Sequence, residues 1–456
     1  MIFRRKNSIE DKLQGGEWKR LYREILIEGK VAEARQPVRR SSSQPKYVGA
    51  NPTIADIIVP RAIRHIVGQP QVVTLLALLN SGNKNDHRDL AERILSDFKL
   101  PGMPFAYIPA MAVECEASEF SRVCSYLKRA RGIAHVEPAH YLHLPEPEVR
   151  PTVCSSPVFD MWNLEQVGAY AAWDHTRGKN AVVGVIDTGI DFNHPHLRGR
   201  FRGLKGVNLV NKGQPPMDDH SHGTHVAGTI AGDGAGSDDH VVGVAPGATL
   251  YAVKALSAQG YGTEAWIVMG IEWCIDNQVD IINMSLGSPR HSSFIAATVK
   301  AAYRRGIITV AAAGNDGSSM PHYPGHLPGV IGVAAVDRQK QKASFSNWNS
   351  NNDVAAPGVD ILSCVPGGGH AYKSGTSMAT PCVAGCMALA RSLSNKDPDD
   401  LEVSLKNTAE RIGSRFDPPG YYGEGLVRAD RLAAKLVGKA LYASAHAPSS
   451  VTGGGW

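Results

Sequence analysis

The stretch Gly375-Thr376-Ser377-Met378-Ala379-Thr380-Pro381 joins a turn of small residues to the apolar run 382–390. The composition of that run predicts a buried helix, and Pro381 fits the first turn of a helix, where the missing backbone N–H costs nothing. Ser377 would then stand beside free backbone N–H groups at the positive end of the helix dipole. Such a serine is either a plain N-cap or a nucleophile whose oxyanion the helix start stabilises.

Buried strands alternate with helices on the way to this stretch. From residue 163 to about 434, short runs of small and β-branched residues alternate with helical patterns. This alternation predicts an α/β fold, with a mostly parallel central sheet and helices on both faces. The strands are predicted at 181–186, 250–256, 279–284 and 307–313, with helices at 263–277 and 294–305. Polar groups that act together in such a fold lie beyond the C-terminal ends of the strands.

Polar residues occur at three such places. Asp187 directly follows a predicted strand, His222 precedes an apolar helical run, and Asn315 follows another predicted strand. Taken singly, they are explained equally well by an Asx-turn, a helix start and a turn-forming asparagine. Taken with Ser377, they supply a nucleophile, a base, an acid that orients the base, and an amide donor for an oxyanion.

Asp187 and the histidines near it also suggest two other kinds of site. Asp187-Thr188-Gly189 is also the motif of aspartic peptidases, but those enzymes need two carboxylates that share a proton, and the chain has one Asp-Thr-Gly. The histidines His220, His222 and His225 suggest zinc, but the metallopeptidase motif needs histidines at i and i+4 with a glutamate between them. We therefore assign no metal ligand from the sequence.

Five motifs together give a more specific result. In their order and spacing the chain resembles the subtilisin-like serine peptidases from about residue 162 to about residue 429. The motifs are Val185–Gly189, His222–Gly228, Asn283–Gly287, Ala311–Asn315 and Gly375–Pro381. The order Asp, His, Ser along the chain is that of subtilisin.

The resemblance implies a serine endopeptidase. Ser377 would attack the peptide carbonyl, His222 would take its proton, Asp187 would orient the imidazole, and the amide of Asn315 would bind the oxyanion with the backbone N–H of Ser377. Two segments would hold an extended protein or peptide substrate between them by strand addition. The residues implied in substrate binding are Gly260, Tyr261, Gly262, Ser285, Leu286, Gly287, Gly314 and His322.

Two histidines depart from the pattern of the family. His322 stands where many relatives have a glycine at the floor of the first substrate pocket, so we expect a smaller or more polar pocket. His196 stands where many relatives have an acid of a calcium site. Acids remain nearby at Asp233, Asp238 and Asp239, so structural calcium stays open. No cofactor is required for the reaction.

The resemblance also divides the chain. Residues 104–140 look like the inhibitory propeptide of the family, with Ile108-Pro109-Ala110 and His135–Pro138 as the matching stretches. We therefore expect a self-processing zymogen inhibited by its own propeptide. The predicted divisions are an N-terminal extension (1–100), a propeptide-like domain (101–144), a linker with the processing site (145–160), a peptidase domain (161–440) and a disordered tail (441–456). The extension is predicted to be flexible in part and helical near 17–29 and over 61–100. The propeptide-like domain is predicted to have strands at 106–113 and 132–138 and a helix at 118–131.

Charge and composition limit the partners. The net charge is +5, and residues 1–46 alone carry twelve basic and six acidic residues, so the remaining chain is near neutral. A basic surface on the folded core is therefore not expected, which argues against nucleic acid as a partner. Apolar runs are too short to span a membrane.

Localisation, an alternative function and a docking module complete the expectations. Seven cysteines without a CxxC pair and a start that lacks an apolar signal segment predict a cytoplasmic protein. Because inhibitory propeptides are typical of exported relatives, an extracellular location is the alternative. A pseudo-peptidase that only binds is the alternative function. A separate docking module in residues 1–100 would add to a peptidase without excluding it.

Overall fold

The computed structural model describes residues 72–80, 84–144, 148–150, 160–203, 205–235 and 241–445. The helix predicted near 17–29 and the tail beyond residue 445 lie outside these residues. Within them the chain forms a large α/β unit and a smaller unit that precedes it.

The large unit is built on a sheet of seven strands, all parallel, in the spatial order β14-β13-β12-β11-β7-β9-β8. This confirms the predicted fold class. The strands are β7 (Val182–Asp187), β8 (Gly206–Asn208), β9 (Thr249–Lys254), β11 (Ile281–Met284), β12 (Ile308–Ala312), β13 (Val330–Val336) and β14 (Val354–Pro357).

Helices cover both faces of this sheet, which is why its strands are apolar at nearly every position. Val183 and Val185 of β7 join a core on one face, while Ile186 joins the core on the other. The first face carries α3 (Trp162–Gln166), α4 (Ala169–Ala172), α5 (His222–Ala231), α8 (Thr376–Leu393), α9 (Pro398–Thr408) and α10 (Ala429–Ala445), and the second carries α6 (Glu264–Asp276) and α7 (Ser293–Tyr303).

Side-chain caps fix where two of these helices begin. The Thr263 hydroxyl accepts the N–H of Trp266 at 3.3 Å at the start of α6. The Ser292 hydroxyl accepts the N–H of Ile295 at 3.1 Å at the start of α7. Each cap satisfies a helix N–H that has no partner within the helix.

The smaller unit is a four-stranded antiparallel sheet in the order β2-β3-β1-β4. Its strands are β1 (Val72–Leu79), β2 (Gly102–Pro104), β3 (Ala110–Glu116) and β4 (Ile133–Pro138), and its helices are α1 (Lys84–Asp97) and α2 (Phe120–Arg129). Both helices pack on one face of the sheet, around Leu75, Ala77 and Leu127.

The structure corrects two predictions about this unit. The helical prediction for 61–100 is confirmed at α1 but wrong at Val72–Leu79, which is a central strand. Both faces of β1 are covered, so its sequence is apolar at almost every position and carries no period that separates strand from helix. The predicted boundary at residue 101 is therefore also wrong, because the unit includes residues from 72 onwards. The strand predicted at 106–113 is β3, which begins at Ala110 rather than at 106.

The second face of the small sheet packs against α6 and α7. Leu76 and Leu78 share one core with Ile271 and Ile295 of those helices. The Tyr107 N–H donates to Glu272 Oε1 at 2.7 Å, and a polar bond therefore fixes the position of the apolar interface.

Two further findings concern where strands and helices lie near the predicted boundaries, and a third concerns membrane spans. Residues Glu148–Arg150 form strand β6, so the predicted linker is not structureless there. Helix α10 continues to Ala445, five residues into the predicted tail. Among the described residues, no helix is both long enough and apolar enough to cross a membrane.

We predict that Leu75→Ala, made in the Ser377→Ala protein, loosens the small unit without unfolding the large one. The side chain of Leu75 is fully buried in the core between the small sheet and its two helices. A leucine-to-alanine change in such a core costs about 2–5 kcal/mol. Hydrogen exchange should become faster in β3 and β4 but not in β12. Val72→Ala is the control, since Val72 is 49% exposed. Equal exchange in both variants would contradict the proposed core.

Candidate active site

The site is organised around a buried pair of an acid and a histidine. Asp187 is the last residue of β7, and His222 is the first residue of α5. Neither side chain has exposed surface, and His222 Nδ1 lies 2.8 Å from Asp187 Oδ1. The same oxygen accepts the N–H of Thr188 at 2.7 Å. This arrangement places the proton on Nδ1, which leaves Nε2 as the basic atom of the ring.

A second acid holds the start of α5 in place. Asp218 accepts the hydroxyl of Thr188 at 2.8 Å and the N–H of Thr224 at 2.9 Å. The Thr188 hydroxyl in turn accepts the N–H of Gly223 at 2.9 Å. Burial by itself would raise the pKa of Asp218, but bonds from Thr224, the N–H of His220 and Thr188 outweigh it and leave the pKa below its usual value. Asp218 is therefore ionised at the positive end of the helix dipole.

Asp218 and Thr188 were missed by the sequence analysis. The usable signal was an acid four residues before a histidine at a helix start, because acids are favoured at helix N-termini. That pattern is common, and only the structure shows that it connects to the end of β7.

Ser377 lies in the first turn of α8, as the sequence predicts, whereas Pro381 lies inside the helix and not in its first turn. Its hydroxyl donates to the carbonyl of Ser285 at 3.0 Å, and the hydroxyl of Ser285 donates to the carbonyl of Ser377 at 2.9 Å. His222 Nε2 is buried and has no hydrogen-bond partner in the described part of the chain. Ser377 is thus held beside the segment Ser285–Gly287 and is not hydrogen-bonded to His222 in this conformation.

Asn315 follows β12, and its amide is held in one orientation. Its Oδ1 accepts both the N–H of Thr376 at 2.9 Å and the hydroxyl of Thr376 at 2.7 Å. The Nδ2 donor therefore points away from Thr376. A Cβ added to Gly375 would lie 3.2 Å from Asn315 Nδ2 and 3.6 Å from the backbone nitrogen of Ser377. The amide nitrogen of Asn315 and the backbone nitrogen of Ser377 thus both lie close to the space beside Gly375.

The predicted substrate segments hold a strand of the chain itself. Strand β5 (Tyr141–His143) pairs antiparallel with β10 (Tyr261–Thr263). The N–H of Leu144 donates to the Gly260 carbonyl at 2.9 Å. His143 also forms an antiparallel bridge with Gly287 on the opposite wall. The cleft therefore accommodates an extended segment between its two walls.

A second segment of the chain approaches from the other side of Ser377. Strand β6 pairs antiparallel with β16 (Gly369–Ser374), and Glu148 is opposite Ser374. Ser374 is three residues before Ser377, so strands β5 and β6 lie on either side of Ser377. Residues 145–147, which connect them, lie outside the described residues.

His322 fills space between two glycines of the predicted substrate site. Its side chain is buried. A Cβ added to Gly287 would come within 2.3 Å of the imidazole, and one added to Gly314 within 2.8 Å. Burial lowers the pKa of His322 to about 4, against the opposing effect of Asp316. The pocket therefore contains an uncharged imidazole at neutral pH.

His225, His196 and Asp233, which the sequence associated with zinc or calcium, have partners within the protein. His225 points its Nε2 at the carbonyls of Ile361 and Ala371, at 2.9 and 3.1 Å, and so does not converge with His222. Asp233 forms an ion pair with Arg200 at 3.3 Å, and His196 Nδ1 lies 3.0 Å from the Ala235 carbonyl. The other acids that the sequence offers for calcium, Asp238 and Asp239, lie outside the described residues.

The sheet and the groups at its carboxyl edge define a serine-type endopeptidase with a subtilisin-like α/β fold. The comparison with protein families agrees, because residues 178–431 match the Peptidase_S8 model, described as the subtilase family. The chain belongs to the subtilase family.

Several curated relatives support this assignment. Subtilisin E of Bacillus subtilis (strain 168) is 39% identical over 376 residues, which cover 80% of this chain and 88% of the relative. Subtilisin of Bacillus pumilus is 46% identical over 259 residues, covering 55% and 90% of the two chains. An intracellular serine protease of Paenibacillus polymyxa is 44% identical over 239 residues, covering 51% and 73%.

We predict that His322→Gly enlarges the pocket between Gly287 and Gly314. The mature variant should prefer peptides with Phe over peptides with Ala before the scissile bond by at least about tenfold more than the wild type, the range that pocket contacts supply. The measurement is the ratio of kcat/KM for the two peptides. His175→Gly, at an exposed histidine, is the control. An unchanged ratio would show that His322 does not limit the pocket.

Proposed function

We propose that Ser377, His222 and Asp187 carry out the endopeptidase reaction of this chain. The observation that supports this most strongly is the 2.8 Å bond between His222 Nδ1 and Asp187 Oδ1, both fully buried. The hydroxyl of Ser377 leaves the Ser285 carbonyl and transfers its proton to His222 Nε2 as its oxygen attacks the peptide carbonyl. The imidazolium then gives that proton to the leaving amine, and Asp187 stays ionised throughout.

Asn315 and the start of α8 stabilise the oxyanion in this proposal. The Nδ2 of Asn315 and the backbone N–H of Ser377 donate to the oxygen as it gains charge. Thr376 contributes indirectly, because its two bonds to Oδ1 leave Nδ2 as the donor that faces the substrate. Every proton transfer is assigned to a side chain of the protein, so the reaction itself requires no cofactor.

We propose that residues 72–144 inhibit the enzyme before processing. Strand β5 occupies the cleft between Gly260 and Gly287, and strand addition of this kind gives affinity through main-chain bonds. The small sheet rests on α6 and α7, which keeps the strand at a high effective concentration. The alignment with subtilisin E covers 80% of the chain, more than residues 161–456 supply, so the similarity extends into the residues before 161.

Strands β5 and β6 limit where the chain can be cut during processing. Leu144 is bonded to Gly260 on one side of the cleft, and Glu148 is paired with Ser374 on the other. We place the scissile bond between Leu144 and Glu148, within the linker that the sequence predicts. A cytoplasmic location and the lack of a nucleic-acid partner stay predictions of the sequence.

We predict that the Ser377→Ala protein keeps its full mass of 48.8 kDa, while the wild type shortens to a fragment that begins between residues 145 and 148. Intact-mass spectrometry of both purified proteins gives the result. The control is Ser350→Ala, at an exposed serine, which should mature like the wild type. If Ser377→Ala matures to the same fragment without added protease, the proposed self-cleavage is wrong.

We predict that Asn315→Ala lowers kcat by about 10²–10³-fold, the loss known for an amide donor of this kind in subtilisin. The KM should change little, because the donor acts on charge that develops in the transition state. Thr376→Val keeps the amide but removes one bond that orients it, so its loss in kcat should be smaller. Steady-state kinetics on a chromogenic peptide provide both values. Equal losses in the two variants would contradict direct donation by Asn315.

A further inference from the structure

Three side chains that can bind a transition metal converge outside the catalytic group. They are His194, Cys364 and His370, and one ligand atom of each lies within 4.8 Å of the others. His194 and Cys364 are buried, and His370 is partly buried. We propose that these residues form a zinc site.

The backbone brings two of the ligands together by strand pairing. Cys364 belongs to β15 (Ile361–Val365), and His370 belongs to β16. These two strands are antiparallel, and Cys364 and His370 are direct partners in the register. Directly opposed residues project from the same face with Cβ atoms about 4.5–5.5 Å apart. The hairpin therefore presents a sulfur and an imidazole side by side.

The third ligand comes from the loop after β7 and is already attached to the hairpin. His194 Nε2 lies 3.0 Å from the carbonyl of Gly369, the residue before His370. Its Nδ1 accepts the N–H of His196 at 3.2 Å. Binding of a metal exchanges one of these hydrogen bonds for a metal–nitrogen bond, which is much the stronger interaction.

A fourth histidine lies against the cluster. The ring centre of His196 is 5.2 Å from that of His370 and 5.5 Å from that of His194. Its Nδ1 faces the carbonyl of Ala235 at 3.0 Å. A bond from Nδ1–H to a backbone carbonyl is how proteins fix the tautomer of a histidine that binds metal through Nε2. We therefore assign His196 to the fourth position of a tetrahedral site.

The ligand types select zinc over calcium. Imidazole and thiolate suit Zn²⁺, whereas Ca²⁺ takes oxygen ligands. Bond lengths of about 2.0–2.3 Å place the ligand atoms of a tetrahedral zinc site roughly 3.3–3.8 Å apart. The present separations of up to 4.8 Å therefore require side-chain shifts of about 1 Å. Cys364 loses its thiol proton to solvent when the sulfur binds the ion.

Such an ion would hold together the elements that carry the catalytic residues. Cys364 packs against α5, since a Cβ added to Gly228 would lie 2.9 Å from its sulfur. The loop with His194 continues from the end of β7, and β16 leads directly into Ser377. The site thus joins the chain segments that follow Asp187, follow His222 and precede Ser377. The alternative is that the same side chains are ordinary buried packing with no affinity for metal.

Cobalt spectroscopy separates the two alternatives. Reduced, metal-free Ser377→Ala protein of full length is titrated with Co²⁺. We expect one equivalent to give the near-ultraviolet absorption of a cobalt–thiolate bond and the visible bands of tetrahedral cobalt, and we expect Zn²⁺ to remove both. Cys364→Ser should lose the thiolate absorption. Cys274→Ser, at another buried free cysteine, should keep it.

A second variant and a second measurement distinguish loss of metal binding from misfolding. His370→Ala, at a partly buried strand position, should weaken Zn²⁺ affinity at least about 10–100-fold with an unchanged circular dichroism spectrum. Zn²⁺ should raise the Tm of the parent protein and not that of His370→Ala. Absence of stoichiometric binding, or equal binding by the parent and both variants, overturns the proposal.

Discussion

The hydrogen bond between His222 and Asp187 is the interaction on which the other features of the site depend. A carboxylate without exposed surface is stable only when its environment supplies hydrogen bonds or opposite charge, and Asp187 obtains them from His222 and the N–H of Thr188. The bond therefore requires the end of β7 and the start of α5 to meet at a fixed distance. The central position of β7 in the sheet and the bonds of Asp218 to the first turn of α5 meet that requirement.

Whether a feature could be predicted from the sequence depends on how far apart along the chain its interacting residues are. Asp187 and Asn315 were identifiable because parallel strands are buried on both faces, so that a polar residue marks a strand end. Strand β1 was not, because a run that is apolar on both faces has no distinguishing period. The role of Asp218 and the pairing of β5 with β10 depend on contacts between distant segments. Local sequence patterns do not predict such contacts.

The substrate cleft shows how a single residue modifies a family arrangement. Gly287 and Gly314 lack side chains, and Gly314 has a φ of 100°, which favours glycine. The space that they leave is occupied by His322 rather than by substrate. Because burial keeps the imidazole uncharged, it acts through volume and hydrogen bonding instead of charge. In the proposed mechanism other residues make the catalytic bonds, so His322 would set the selectivity of the pocket separately from the rate of the reaction.

Strand β16 is where processing, catalysis and the proposed metal site meet. On one edge it pairs with β15 and on the other with β6, and its buried Lys373 donates to Ser221 at 2.8 Å, next to His222. The proposed cleavage between Leu144 and Glu148 would make β6 part of a new chain terminus, and a terminal strand is held less firmly than an internal one. The position of Ser377 then depends more on the β15–β16 hairpin. A zinc ion bound by Cys364 and His370 would brace that hairpin at the point where the covalent restraint has been removed.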